Sequence, residues 1–204
     1  MANSLNNLAA LYHTEGRYEN AELLFERALA IREKTLGPEH PDVAMSLNNL
    51  ASLYDTQGEY ARAEPLYERA QAIWERALGP EHPNVAMSLN NLAVLFFNQG
   101  RYREAESLYE RALAIRESAL GSEHPDVARN LNNLAFLYYS QGEYAKAEPL
   151  YERTLAIWER ALGPQHPLVA TCLQNHALLL RSIGRDVEAV HLESRAEAIR
   201  AESI

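Results

Sequence analysis

Apolar residues recur at helical spacing in two successive stretches of the chain. The first stretch runs from Pro41, which suits a first helical turn, to Gly58, which suits the left-handed residue after a helix end. Its apolar face consists of Leu47, Leu50, Ala51 and Tyr54. The second stretch predicts a longer helix over residues 60–78, and its inward face consists of Ala63, Leu66, Tyr67, Ala70 and Ile73. The pattern therefore predicts a pair of antiparallel helices.

This helix pair repeats every 42 residues. The turn glycines carry the period and are Gly16, Gly58, Gly100, Gly142 and Gly184. A period of this length is typical of stacked supersecondary units that contact only their neighbours. We predict one array over residues 1–204, with the last repeat acting as a C-terminal cap. The predicted repeats are residues 1–38, 39–80, 81–122, 123–164 and 165–204.

A longer period of 84 residues lies over the shorter one. Repeats two and four share the phrase Ile-Trp-Glu-Arg, whereas repeats one and three share Ala-Ile-Arg-Glu at the same place. This alternation indicates a unit of two repeats. Trp74 and Trp158 occupy matching positions late in the second helices, which predicts packing between repeats rather than contact with a partner.

Composition narrows the class of protein. Apolar residues make up 47% and charged residues 23%, which is normal for a folded chain. The formal net charge of −9 argues against nucleic acid, whose binders carry a basic stripe. No apolar stretch approaches the roughly 20 residues that cross a bilayer, so we expect no membrane partner. Cys172 is the only cysteine and no secretory signal opens the chain, which favours a reducing, cytoplasmic location.

The turn inside each pair has a recognisable pattern. In repeat two it consists of Gly58, Tyr60, Ala63, Tyr67 and Ala70, and it resembles the tetratricopeptide repeat. The usual repeat has about 34 residues. The longer period here, with Leu-Asn-Asn-Leu-Ala and Gly-Pro-Glu-His-Pro, resembles the kinesin-light-chain type. The resemblance covers nearly the whole chain. It implies an all-α, right-handed alpha-alpha superhelix of about ten antiparallel-paired helices, with a concave surface that holds other chains.

Asparagine pairs recur in the middle of the first helices, although asparagine is a mediocre helix former. In the resembled family these positions face the concave groove, where an amide can donate to and accept from a peptide backbone. We predict peptide contact for the second asparagine of each pair: Asn7, Asn49, Asn91, Asn133 and Asn175. Two roles stay open for the first asparagine, peptide contact or a bond that sets the stacking of neighbouring repeats. These residues are Asn48, Asn90 and Asn132.

Groove positions that vary between copies are candidates for specificity. Phe97, Phe136 and Tyr139 are predicted to form an apolar pocket, with Arg129 and Arg181 adding positive charge. Kinesin light chains hold cargo segments with a tryptophan flanked by acidic residues, so the resemblance implies an acidic-aromatic linear motif as a possible ligand. The alternative is that these aromatic side chains pack under a neighbouring helix.

Other polar residues do not form a recognisable chemical site. Histidines recur one repeat apart in the loops, at His40, His82, His124 and His166. A metal site needs ligands close together, so we predict that each His-Pro sets a turn and caps the next helix. No phosphate loop, zinc spacing or nucleophile elbow occurs. We therefore expect no enzyme activity, no metal and no cofactor.

The leading hypothesis is a non-catalytic scaffold that binds an extended peptide of a protein partner in its concave groove. An alternative is the sensor or oligomerisation arm of a larger signalling protein, with a nucleotide-binding or protease-like domain upstream. The first repeat motivates that alternative, because Met1 aligns with Val43 and the Pro-Asp helix start is missing. A third hypothesis is self-association through the uncapped first repeat, by way of Leu5, Leu8 and Leu11.

Overall fold

A computed structural model describes residues 1–202 of the chain. Over that range it contains ten α-helices and no strand, in which a shorter helix alternates with a longer one. The helices are α1 Ala2–Thr14, α2 Tyr18–Leu36, α3 Pro41–Thr56, α4 Tyr60–Leu78, α5 Pro83–Asn98, α6 Tyr102–Leu120, α7 Pro125–Ser140, α8 Tyr144–Leu162, α9 Pro167–Ser182 and α10 Asp186–Glu202. Each predicted repeat therefore contains one helix pair.

The helix ends form where the local signals predict them. The ring nitrogen Nδ1 of His40 accepts a hydrogen bond from the backbone N–H of Asp42 at 3.1 Å, so His40 caps α3. Gly58 has a φ of 76°, and the N–H of Glu59 reaches back to the carbonyl of Tyr54 at 2.8 Å. This is the glycine-terminated helix end expected for left-handed backbone. Gly79 ends α4 with φ 92° and ψ 154°.

The core of the second pair consists largely of the predicted apolar faces. In repeat two, Leu47, Ala51, Ala63 and Ala70 are completely buried, and Tyr67 is 2% exposed. Alanines at such positions let two helices approach closely, because a larger side chain would overpack the contact. One predicted core residue differs, since Leu66 is only half-buried.

The chain divides into two compact units, residues 1–108 and residues from 109 onward, and the boundary falls within α6. In the first unit α2 packs on α3 and α4 packs on α5, while in the second unit α8 packs on α9. At these three junctions consecutive repeats are joined through the second helix of one and the first helix of the next. The prediction of a single array over residues 1–204 stays a prediction.

The 84-residue alternation has a structural counterpart in each unit. Arg32 is buried and donates to the hydroxyl of Ser46 in the next repeat at 2.6 Å. The buried Arg116 likewise donates to Oδ1 of Asn130. At the same position in repeats two and four, the indole N–H of each tryptophan donates to a backbone carbonyl instead. The bonds are Trp74 to Pro41 at 3.2 Å and Trp158 to Pro125 at 3.1 Å.

Candidate functional site

The asparagine pairs of the first helices fall into two sets in 42-residue register, which we call rows. The first row consists of Asn6, Asn48, Asn90 and Asn132, and the second row consists of Asn7, Asn49, Asn91, Asn133 and Asn175. In the first unit the rows are bonded to each other across neighbouring repeats. Nδ2 of Asn49 donates to Oδ1 of Asn6 at 2.9 Å, and Nδ2 of Asn91 donates to Oδ1 of Asn48 at 3.0 Å. Amide pairs therefore tie α1 to α3 and α3 to α5.

The two rows differ in burial in the first unit. Asn48 is 5% exposed and Asn90 is 6% exposed, whereas Asn49 and Asn91 are half-buried and Asn7 is exposed. The first row thus supplies the acceptor of the inter-repeat bond, which is one of the two roles that the sequence left open. Contact between any of these residues and a peptide stays a prediction.

In the second unit the last members of the two rows are not bonded to each other. Asn132, Asn133 and Asn175 are half-buried, and Oδ1 of Asn132 is a buried acceptor with no hydrogen-bond partner. The residue before Asn175 is Gln174, which is exposed and accepts a hydrogen bond from Arg200 of α10. Asn175 therefore does not donate to Asn132 in the way that Asn91 donates to Asn48.

The predicted aromatic residues are half-buried and lie against other rings. In the first unit Phe97 lies 5.5 Å from Tyr102 between ring centroids. In the second unit Tyr139 lies between two rings, 6.1 Å from Phe136 and 5.9 Å from Tyr144. Each cluster joins the end of a first helix to the start of the second helix. A common pocket of Phe97, Phe136 and Tyr139 stays a prediction.

The predicted positive charges have acidic neighbours. Arg129 is exposed, and one of its guanidinium nitrogens lies 3.1 Å from a carboxylate oxygen of Asp126 on the same helix. Arg181 donates to Glu193 of α10 at 2.6 Å and also pairs with Asp186. Both guanidinium groups are therefore partly neutralised within the chain, which weakens the field that they offer to an acidic ligand.

One position near the end of the first helix has a side chain of different chemistry in each of the five repeats. The residues that correspond at 42-residue spacing are His13, Asp55, Phe97, Tyr139 and Arg181. Burial raises the pKa of Asp55, whose carboxylate accepts a hydrogen bond from Asn98 at 3.4 Å. His13 bonds to the hydroxyl of Thr56 at 3.0 Å. Sequence reasoning missed His13, although its register with Asp55 marks it as a member of this set.

The histidines of the loops cap helices, as predicted. In every loop Nδ1 of the histidine accepts the backbone N–H two residues later, which caps the next helix. Trp74 and Trp158 are buried, and each indole N–H bonds to a carbonyl of its own repeat, so their packing between repeats stays a prediction. Cys172 is buried, and burial raises the pKa of its thiol. Among residues 1–202, no three histidine, cysteine or acidic side chains are grouped so that they could hold a metal ion.

The exposed face of α1 is where the sequence predicted self-association. Leu8 is 40% exposed and Leu11 is 51% exposed, while Leu5 is half-buried. Self-association through this face stays a prediction. No helix within residues 1–202 combines the length and the apolar character that crossing a bilayer requires.

Solved structures of similar chains share this arrangement of helix pairs. The crystal structure of BtubC (BKLC) from P. vanneervenii is 31% identical, with a TM-score of 0.84 over 98% of this chain and 79% of that one. The crystal structure of a Podosopora anserina putative kinesin light chain with nearly identical TPR-like repeats is 32% identical. Its TM-score is 0.78 over 98% of this chain and 95% of that one.

A more distant structure shares the fold alone. Aspartyl phosphate phosphatase F from Bacillus subtilis is 16% identical, with a TM-score of 0.81 over 98% of this chain and 50% of that one. No curated protein matches the chain significantly. The model of the tetratricopeptide repeat family matches residues 1–75, 56–118, 87–151 and 126–202. These matches confirm the predicted all-α solenoid class, and the chain belongs to the tetratricopeptide repeat family as an array of the kinesin-light-chain type.

Proposed function

We propose that the chain is a non-catalytic scaffold that binds an extended peptide segment of a protein partner along the second row of asparagines. Arrays of this family are protein-interaction scaffolds, and stacked repeats offer extended binding surfaces. The observation that carries the proposal is the half-burial of Asn49 and Asn91, each of which is held in place by a bond to the preceding repeat.

The chemistry of a held amide suits a peptide backbone. A primary amide has two donor hydrogens and an acceptor oxygen, and the bond between the rows uses one hydrogen of Asn49 or Asn91. An extended peptide presents both a carbonyl and an N–H, which match the remaining groups. Because the side chain is already ordered, binding loses less rotamer entropy than it would with a mobile amide. Such contacts hold the backbone of the peptide and do not depend on its side chains.

Sequence preference comes from the variable positions. In the second unit Phe136 and Tyr139 offer ring faces, and Arg129 is exposed nearby along α7. We propose that a preferred partner segment carries an aromatic residue with an acidic neighbour. The net charge of −9 opposes an acidic peptide at long range, so this preference depends on close contact with Arg129 and weakens as salt rises.

The test is selection from a peptide library displayed against the full chain, followed by affinity measurements on the selected peptides. Asn49→Ala and Asn175→Ala are expected to weaken binding about threefold to tenfold, as the loss of one hydrogen bond does. Asn20→Ala is the matched control, because Asn20 is an exposed asparagine on α2 outside both rows. Peptides that bind all three variants and the parent chain equally would show that the second row is not the binding site.

A further inference from the structure

The fifth helix pair lacks an aromatic ring that the other four pairs have. The residues at this position are Tyr12, Tyr54, Phe96, Tyr138 and Leu180. A cation lies over each of the four rings. The distances from the charged group to the ring centroid are 4.0 Å for Arg17 over Tyr12, 3.7 Å for Arg62 over Tyr54, 3.7 Å for Arg101 over Phe96 and 4.7 Å for Lys146 over Tyr138. Cation–ring contact is thus a constant feature of the first four pairs.

A cavity occupies the corresponding place in the fifth pair. It lies among α8, α9 and α10, entirely within the second unit, and has a volume of about 410 Å³. That volume is within the range of small-ligand sites. Its lining residues are Glu148, Glu152, His176, Leu180, Arg185, Val187, Glu188, His191 and Leu192. None of these residues belongs to the two rows of asparagines.

Arg185 has the same carboxylate partners as an arginine that lies over a ring in an earlier repeat. It bonds to Glu148 and, at 2.6 Å, to Glu188. Residues 84 positions earlier make the same bonds, since Arg101 pairs with Glu64 and Glu104 while lying over Phe96. The guanidinium of the fifth pair is therefore fixed by the same two carboxylates, beside a cavity instead of a ring.

A second observation at the cavity is a buried imidazole. His176 stands where the other pairs have leucine, is 7% exposed, and has two buried ring nitrogens without a hydrogen-bond partner. Its ring stacks on Tyr151, with 5.8 Å between centroids and 21° between planes. Unsatisfied buried polar groups are few in native structures, and each one calls for a functional or structural reason. An occupant of the cavity that carries a polar group supplies such a reason.

We propose that this cavity binds a phenolic ring. The ring takes the place of the missing aromatic side chain beside Arg185, and its hydroxyl donates to Glu152 and accepts a hydrogen bond from a ring N–H of His176. The counterpart of that carboxylate one repeat earlier is Glu110, which accepts a hydrogen bond from the hydroxyl of Tyr138 at 3.4 Å. The ring can belong to a free phenol or to a tyrosine side chain of another polypeptide, because the recognised chemistry is the same.

The first experiment titrates p-cresol and toluene into the full chain and follows backbone and side-chain resonances by NMR. Saturable shifts centred on His176 and Leu180 are expected with p-cresol. Toluene should bind at least about tenfold more weakly, because it lacks the hydroxyl that donates to a charged acceptor. Absence of saturable p-cresol binding, or shifts centred elsewhere, would overturn the proposal.

Two variants test the geometry. Leu180→Tyr restores the ring of the other repeats, so it is expected to abolish p-cresol binding and raise Tm. Leu23→Tyr is the matched control on an exposed leucine of α2, and it should leave p-cresol binding unchanged. Glu152→Gln changes an exposed residue without altering its shape, and it should narrow the affinity difference between p-cresol and toluene. A lower Tm for Leu180→Tyr, or an unchanged difference for Glu152→Gln, contradicts the proposed site.

A third experiment distinguishes the two sources of the ring. Short capped peptides with a central tyrosine or phenylalanine compete with p-cresol for the full chain. Displacement by the tyrosine peptide, but not by the phenylalanine peptide, assigns the site to a tyrosine of a polypeptide. Displacement by neither peptide, with p-cresol still bound, assigns the site to a free phenol. Equal displacement by both peptides would contradict recognition of the hydroxyl.

Discussion

The side-chain amide of Asn91 donates a hydrogen bond over 3.0 Å to the side-chain oxygen of Asn48, one repeat earlier. Asn48 is 5% exposed, so water cannot easily replace this donor. The bond ties α3 to α5, and Asn91 is also a residue that we propose to contact peptide. Holding the stack and binding a partner are therefore not separable at this position by one substitution.

Asn91→Ala is expected to lower the free energy of unfolding by about 1–3 kcal/mol, because it leaves the buried oxygen of Asn48 without a donor. Urea denaturation measures this change. Asn20→Ala should stay within about 0.5 kcal/mol of the parent, since Asn20 is exposed. In a double-mutant cycle with Asn48→Ala, a coupling energy near zero would show that the bond does not contribute to stacking.

His176 is expected to make the stability of the chain depend on pH. Burial lowers its pKa from 6.5, while Glu148, Glu152 and Glu188 oppose this shift and Arg185 adds to it. The unfolded chain then binds the proton more readily than the folded chain, so stability falls as pH drops below 6.5 towards the lowered folded pKa.

His176→Leu is expected to remove this loss, because leucine occupies the corresponding position in the other repeats. Urea midpoints of the parent and variant at about pH 7.5 and about pH 5.5 test the prediction. Burial also lowers the pKa of His13, and this contribution cancels when the two chains are compared. An equal fall in both chains would assign the pH dependence to other groups.

His82→Ala is expected to lower the free energy of unfolding by about 1 kcal/mol, because Nδ1 of His82 caps α5 by accepting the N–H of Asn84 at 3.1 Å. His82→Asn is the matched variant, since asparagine is among the best capping residues. It should retain most of the stability in thermal and urea unfolding. Equal losses in the two variants would indicate that the imidazole ring contributes by packing and not by capping.

The two kinds of turn glycine should respond differently to asparagine. Gly58 has φ 76° in a helix-ending turn, where asparagine is tolerated, whereas Gly79 has φ 92° with ψ 154°, a region almost restricted to glycine. Gly79→Asn is therefore expected to cost about 1–3 kcal/mol, and Gly58→Asn less. An added Cβ meets no atom within 4 Å at either site, so a measured difference reflects the backbone alone.

Helix positions were predictable because their signals are local. Pro41, Gly58 and Gly79 lie within a few residues of the ends that they determine, and the helices end where these residues predict. The burial of Asn48 and its hydrogen-bond partner were not predictable in the same way. Its burial depends on how closely α3 and α5 stack, and its partner is 43 residues away. The sequence could state the two alternatives but not choose between them.

The cavity beside Arg185 could be predicted from the sequence in part. Aligning the repeats shows that Leu180 replaces an aromatic ring and His176 replaces a leucine, so the sequence contains the signal. Whether the space stays open depends on how far the neighbouring helices relax into it, which is a property of the three-dimensional packing. His13 belongs to a similar class, because its register with Asp55 is visible but its bond to Thr56 is not.

Arg32 and Arg116 each bond to a residue of the following repeat. These bonds constrain how the gene can gain or lose repeats. Each guanidinium has its acceptor in the next pair, at Ser46 and Asn130 respectively. Deleting residues 81–122 would bring the repeat of Trp74 before that of Asn130 and leave this amide without its buried donor. Excising residues 39–122, a complete unit of two repeats, instead places Asn130 after Arg32 in the register that Ser46 has now. Crossing-over, like any engineered shortening, is expected to succeed in steps of two repeats.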